Sequence, residues 1–186
     1  MLLRIIHIAI FLLELRGLHL AFAEGGWKIF VYYTQISNLL SLISSAALVI
    51  FGDTLLIACI RYLACCMLVF TFFVCACVLT PMGGDPKYLF LTGHCVYHHL
   101  ICPVASTLVY VFLERHAGFA MVPLAAGVTL FYGLLMVFLN AAGKVDGPYP
   151  FFRVHDQSKL ATAAWMAVLF VAAGALFSLL WWAAGK

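Results

Sequence analysis

Charge is what this sequence has least of. Asp, Glu, Lys and Arg together make up 9% of its 186 residues, and 10 basic against 7 acidic side chains leave a formal net charge of +3. No basic run is present, so the electrostatic footprint of a nucleic-acid binder is missing and no nucleic-acid partner is expected. A disulfide framework is also lacking. The 7 cysteines (59, 65, 66, 75, 77, 95 and 102) all fall inside apolar runs at uneven spacing, the pattern of small packing residues. There is no H-E-x-x-H zinc motif, because Cys95 follows His94. No internal repeat, linker or second domain is visible. What is abundant is apolar: 66% of the residues, with a mean hydropathy of +1.12. A soluble domain of this size has too little interior for so much apolar side chain. The fold class expected is therefore all-α, a polytopic integral membrane protein forming one six-helix transmembrane domain over residues 1–186.

The apolar runs have the roughly 20 residues that cross a ~30 Å hydrocarbon core. The first is Leu2 to Ala23. Arg4 and Ala21-Phe22-Ala23 give it the look of a signal peptide, but Glu14, Arg16 and His19 precede the small-residue site, so it reads as a retained helix. Trp27 follows as an interfacial anchor. Further helices are expected over Ile29–Phe51, Thr54–Thr80, Tyr88–Leu113 with a kink at Pro103, Phe119–Ala142 and Lys159–Ala184. The longest loop, Gly143 to Ser158, carries Gly147-Pro148-Tyr149-Pro150-Phe151-Phe152.

Two stretches are too polar for their place. One is Tyr32-Tyr33-Thr34-Gln35-Ile36-Ser37-Asn38 and the other His94-Cys95-Val96-Tyr97-His98-His99. Unpaired polar groups are costly in lipid, so these must face protein, a cavity or water. Six crossings place both stretches toward the same membrane face. At ~1.5 Å per residue, Thr34, Asn38, His94, His98, His99 and Glu14 fall into one layer, with the Tyr149-Pro150-Phe151 loop above it as a substrate entrance. Thr34 and Asn38 share a helix face at i,i+4, as do His94 and His98, whereas His99 is turned by ~100° from His98. Each group also has a plainer reading. Thr34, Ser37 and Ser41 could bond back to a carbonyl one turn earlier. His94 could be interfacial, and Glu14 could pair with Arg16. Arg61 is expected near the opposite face.

This set suits acyl transfer. An imidazole can take the proton of a threonine hydroxyl as it attacks an ester carbonyl, then protonate the leaving alcohol. Asn38 or a backbone N–H could stabilise the oxyanion, and Glu14 lies at a depth to orient an imidazole. Two other readings compete. His94, His98 and Glu14 could hold zinc, or the protein could bind or transport lipid without catalysis, its histidines lining a polar pocket or relaying protons. No cofactor or resident metal is called for by the preferred reading. Its partners would be membrane lipids and a lipid-ester substrate, and no feature signals an oligomeric state.

At three places the sequence resembles the androgen-induced family of six-helix membrane threonine hydrolases and its bacterial six-helix relatives. They are Tyr33-Thr34-Gln35-Ile36-Ser37-Asn38, His98-His99-Leu100-Ile101-Cys102-Pro103 and Tyr149-Pro150-Phe151-Phe152. The resemblance covers the whole helical plan, and the short loops look more like the bacterial branch, which would place the chain in a plasma membrane. It implies hydrolysis of fatty acid esters of hydroxy fatty acids. Carried over, the nucleophile falls on Thr34 and the base on His98, five before the proline, with His99 one residue away.

Overall fold

The computed structural model describes residues 1–185. It is all-helical, and six of its helical spans are long and apolar enough to cross a membrane. In order they are α1 (Leu2–Gly25), α2 (Tyr33–Phe51), α3 (Leu55–Phe73, prolonged by a π-helical turn over Val74–Leu79), α5 (Cys102–Leu113, preceded by a π-helical turn over Val96–Ile101), α6 (Met121–Ala141) and α7 (Lys159–Ala184). A short α4, Pro86–Leu91, buries none of its residues and begins with Asp85 accepting from the Lys87 N–H.

The outward surface is apolar, with Ile43, Phe112, Phe131 and Phe138 all exposed, as lipid contact requires. The polar residues point inward. α3 is the hub, touching α2, α5, α6 and α7, and its Tyr62, Ala64, Cys65, Cys66 and Leu68 are wholly enclosed. α1 lies along α2 by a seam of buried residues at spacings of three and four: His7, Ile10, Glu14, Gly17 and Ala21. All seven cysteines are free thiols; Cys77 faces outward rather than packing.

Two helix boundaries differ from those expected. The second helix begins at Tyr33 and not at Ile29, because Gly26–Val31 winds as a 3-10 segment and Tyr32 is extended (φ −83°, ψ 132°). Thr34 thus lies in the first turn of α2. The fourth span is broken where a continuous helix over Tyr88–Leu113 was expected. Gly93 takes φ +52°, open to glycine at no steric cost, and the chain restarts in π register. Pro103 then sits in the first turn of α5 instead of kinking mid-helix.

At the end of the bundle away from α2's N-terminus, Arg61 is fully buried and its donors are satisfied. Nε and Nη2 meet the two carboxylate oxygens of Glu114 at 2.9 Å each. Nη1 reaches Ser44 and Ser45 at 3.2 and 3.3 Å, and Nη2 reaches Ser106 at 3.0 Å. His7 Nε2 lies 3.3 Å from Glu114. Burial raises the Glu114 pKa, but Arg61 and His7 outweigh it and hold the carboxyl below its usual range. A carboxylate with a depressed folded pKa contributes stability above its unfolded pKa, and that stability is lost as pH falls through the folded value. Purified protein should therefore lose thermal stability as pH drops into and below the ordinary carboxylate range. Glu114→Gln should flatten that dependence and cost about 3–5 kcal/mol at neutral pH, since it strands a buried guanidinium; thermal unfolding in detergent across pH measures both.

Candidate functional site

Thr34 owes its setting to the late start of α2. The first N–H groups of a helix have no partner within it, and Tyr32 offers no side-chain cap. Tyr149 fills the gap from the Gly143–Ser158 loop. Its phenol accepts from the Thr34 N–H at 3.4 Å and lies 3.3 Å from Thr34 Oγ1. Burial pushes the Tyr149 phenol above its usual pKa, so it stays a neutral donor. The loop that carries it is pinned by Asn140, whose Nδ2 donates to the Val145 carbonyl and whose Oδ1 accepts from the Val154 N–H, both at 2.8 Å. Phe151 and Phe152 are buried while Pro150 is exposed, so the entrance expected at Tyr149, Pro150 and Phe151 is a packed wall with one exposed residue.

Thr34 and Tyr149 form the polar end of a slot walled by Phe70, Val74, Phe152 and Leu169. It is slender and runs between α6 and α7 to Leu130, Met166 and the 41%-exposed Phe170. Gly133 sets its width: a Cβ there would lie 2.6 Å from Met166 Cε. Tyr33 also faces the slot, its hydroxyl 2.8 Å from Thr129 Oγ1. Ser37 donates to the Thr34 carbonyl at 2.9 Å and touches Thr71 Oγ1 at 3.1 Å. Ser37 thus makes the back-bond one turn earlier, while the Thr34 hydroxyl bonds to the phenol instead.

Asn38 links the two polar stretches. Its Nδ2 donates to the Thr34 carbonyl at 2.7 Å and to the His98 carbonyl at 3.3 Å. The second bond follows from the π turn. The Cys102 N–H, which an α-helix would give to His98, goes to the Tyr97 carbonyl. The next donor in π register would come from Pro103, which has no N–H. Asn38 supplies it.

The histidines separate. The His98 ring is fully buried and rests on α1 beside the main chain of Glu14, where a Cβ at Gly17 would lie 2.5 Å from its Nε2. His99 donates from Nδ1 to the Leu89 carbonyl of α4 at 2.7 Å, which leaves Nε2 as an acceptor. His94, at the break before the π turn, places Nδ1 3.1 Å from Glu24 Oε2 and its ring 6.1 Å from that of His98. Glu14 is fully buried, its carboxyl beside Ser41 and Cys102. It therefore forms no pair with Arg16, which lies exposed on the opposite side of α1. The structure brings Thr34, Asn38 and the His98 backbone together, but forms no hydrogen bond between the Thr34 hydroxyl and either imidazole. Among the described residues no group of three or more His, Cys, Asp or Glu is arranged to hold a metal ion.

Scans against protein-family models, curated proteins and solved structures find no match to this chain. Sequence reasoning missed the direct Tyr149–Thr34 contact, the walls Thr71 and Thr129, and the role of Gly133; a Tyr in a loop above a polar helix start was the available signal for the first. It also missed Gly17, whose place in the α1 seam marks a close approach. Gly17→Ala should displace the His98 ring and cost about 1–3 kcal/mol of stability by overpacking. Thermal unfolding should register that loss, while Gly127→Ala, which meets open space, should change little.

Proposed function

We propose that this protein hydrolyses lipid esters within the membrane, with Thr34 as the nucleophile and His98 or His99 as the general base. The observation that supports this most is the placement of the Thr34 hydroxyl. It stands at the polar end of an apolar slot, in the first turn of a helix, beside a neutral phenol. A long acyl chain entering between α6 and α7 would occupy the slot and bring its ester carbonyl to Thr34. Attack by Oγ1 passes the hydroxyl proton to an imidazole and forms a tetrahedral oxyanion. The N–H groups opening α2 and the Tyr149 hydroxyl are the donors available to it. Collapse expels the alcohol, which takes the proton back from the imidazolium. Water then cleaves the acyl-threonine by the same two proton transfers, releasing the fatty acid. The resemblance to six-helix threonine hydrolases points the same way.

The two imidazoles are dressed differently. His99 has the tautomer a base needs, its Nδ1–H held by Leu89 and its Nε2 lone pair free to accept. The main chain of His98, not its ring, is tied to Thr34 through Asn38, and the ring turns toward Gly17 of α1. An apo site commonly holds catalytic hydrogen bonds long, to be tightened by substrate.

Fluorophosphonate labelling of the purified protein tests the assignment. Labelling should be lost in Thr34→Ala and retained in Thr34→Ser. The variant of the true base, His98→Ala or His99→Ala, should lose about 10²–10⁴-fold in kcat. Labelling that persists in Thr34→Ala would overturn the nucleophile. The Thr34–Tyr149 bond also suits a lipid binder with no chemistry, and an unlabelled protein that purifies with one bound lipid per chain would favour that reading. Gly133→Leu, which fills the slot, should depress turnover of long-acyl esters far more than that of short ones, as read by kcat/KM across a chain-length series.

A further inference from the structure

The outward surface of the bundle is not uniform. An apolar groove runs along the outer side of α1 and α2. Ile8, Phe11 and Leu12 form one wall, and Ala46, Val49 and Ile50 the other. The wall residues recur three and four apart on each helix, so each set lines a single helix face. Ile8, Leu12 and Ile50 are exposed, as a surface that meets lipid tails requires. The row on α1 continues to Arg4, one turn before Ile8. Arg4 is exposed, and its guanidinium lies against the turn that ends α2, where a Cβ added at Gly52 would stand 3.5 Å from Nη2. A cation therefore crowns the groove at the membrane surface. From Arg4 to Leu12 the row covers ~12 Å at ~1.5 Å per residue, most of the ~15 Å of hydrocarbon in one leaflet.

Two observations set this groove apart. Among the described residues Arg4 has no hydrogen bond or ion pair. Asp53, the acid beside the Gly52 turn, lies against the main chain of Arg115 instead. The second observation is a contrast. Another outer groove, between α3 and α5, is lined by Val69, Phe72, Pro103, Val104, Thr107 and Leu108, with no charged side chain among them. Either groove is wide enough for an acyl chain, but only the first is crowned by a cation.

We propose that the groove between α1 and α2 seats one anionic phospholipid, with an acyl chain between Ile8 and Ala46 and the headgroup phosphate on Arg4. A guanidinium suits phosphate because its planar donors can meet two oxygens at once. A zwitterionic headgroup carries the same phosphate, but its ammonium cancels the net charge that Arg4 meets. The lipid would join α1 to α2 at the end of the bundle away from Thr34. The site is separate from the slot between α6 and α7, so it does not rest on ester hydrolysis.

Native mass spectrometry of the full-length protein tests this, with dioleoyl phosphatidylglycerol or dioleoyl phosphatidylcholine titrated into the detergent. One phosphatidylglycerol per chain should be retained, about fivefold more tightly than phosphatidylcholine, the selectivity expected of one basic side chain at a membrane surface. Arg4→Gln should bring the two lipids to parity, and Arg4→Lys should keep most of the preference. Arg115→Gln removes an exposed cation outside the groove and should leave the preference intact. Ala46→Phe, which fills the groove from its lipid side, should weaken both lipids. Parity in the wild type, a preference that survives Arg4→Gln, or one lost equally in Arg115→Gln would overturn the headgroup assignment. Binding unchanged in Ala46→Phe would overturn the groove as its seat. A dimer that Ala46→Phe dissociates, with no headgroup preference, would place a second copy of the chain there instead.

Discussion

The interior depends on one side-chain amide. Asn38 bonds the carbonyl of Thr34 on its own helix and the carbonyl of His98 on the broken fourth span. The second carbonyl is orphaned because a π turn and Pro103 each remove one of its backbone donors. In hydrocarbon no water can make good that loss, so the donor has to come from protein. The requirement fixes where α2 sits against the π turn. It sets Thr34 toward α6 and α7 and the His98 ring toward α1, so the two polar stretches meet back to back across one amide.

From that division the molecule has two polar territories. The slot side pairs hydroxyls and phenols: Thr34 with Tyr149, Tyr33 with Thr129, Ser37 with Thr71. All are neutral, which suits an uncharged ester and an acyl chain. The α1 side collects the ionisable side chains Glu14, Glu24, His94 and His98. Arg61 and Glu114 close its far end as a satisfied ion pair. A polar layer that looked single in sequence is divided by α2 into a neutral part around the slot and an ionisable part along α1.

Hydropathy made the six spans legible, since length and apolar content are local properties. Depth alone groups Thr34, Asn38, His94, His98, His99 and Glu14 in one expected layer, but depth carries no information on which side of α2 each side chain faces. The break at Gly93 was not legible, because it arises from a glycine in the left-handed region and a change of helical register that Pro103 stabilises downstream. Nor was the start of α2, where the apolar run continues upstream but Gly26–Val31 winds more tightly. The Arg61–Glu114 pair joins positions 53 residues apart; depth placed Arg61 near the far face, but nothing local names its partner. Tyr149 is expected from sequence above the layer in an entrance loop, whereas Asn140 pins this loop down onto Thr34.

That ion pair also bears on biogenesis. Arg61 enters the bilayer on α3 well before Glu114 is synthesised at the end of α5. An arginine inside an apolar span is costly to insert, and until its partner arrives Ser44 and Ser45 of α2 are the hydroxyls that reach it. The first three helices therefore leave the insertion machinery holding an uncompensated charge, and the fourth crossing discharges it. Insertion and folding are coupled at that point: α3, the most apolar of the six spans, carries the charge in, and Glu114 at the end of α5 neutralises it.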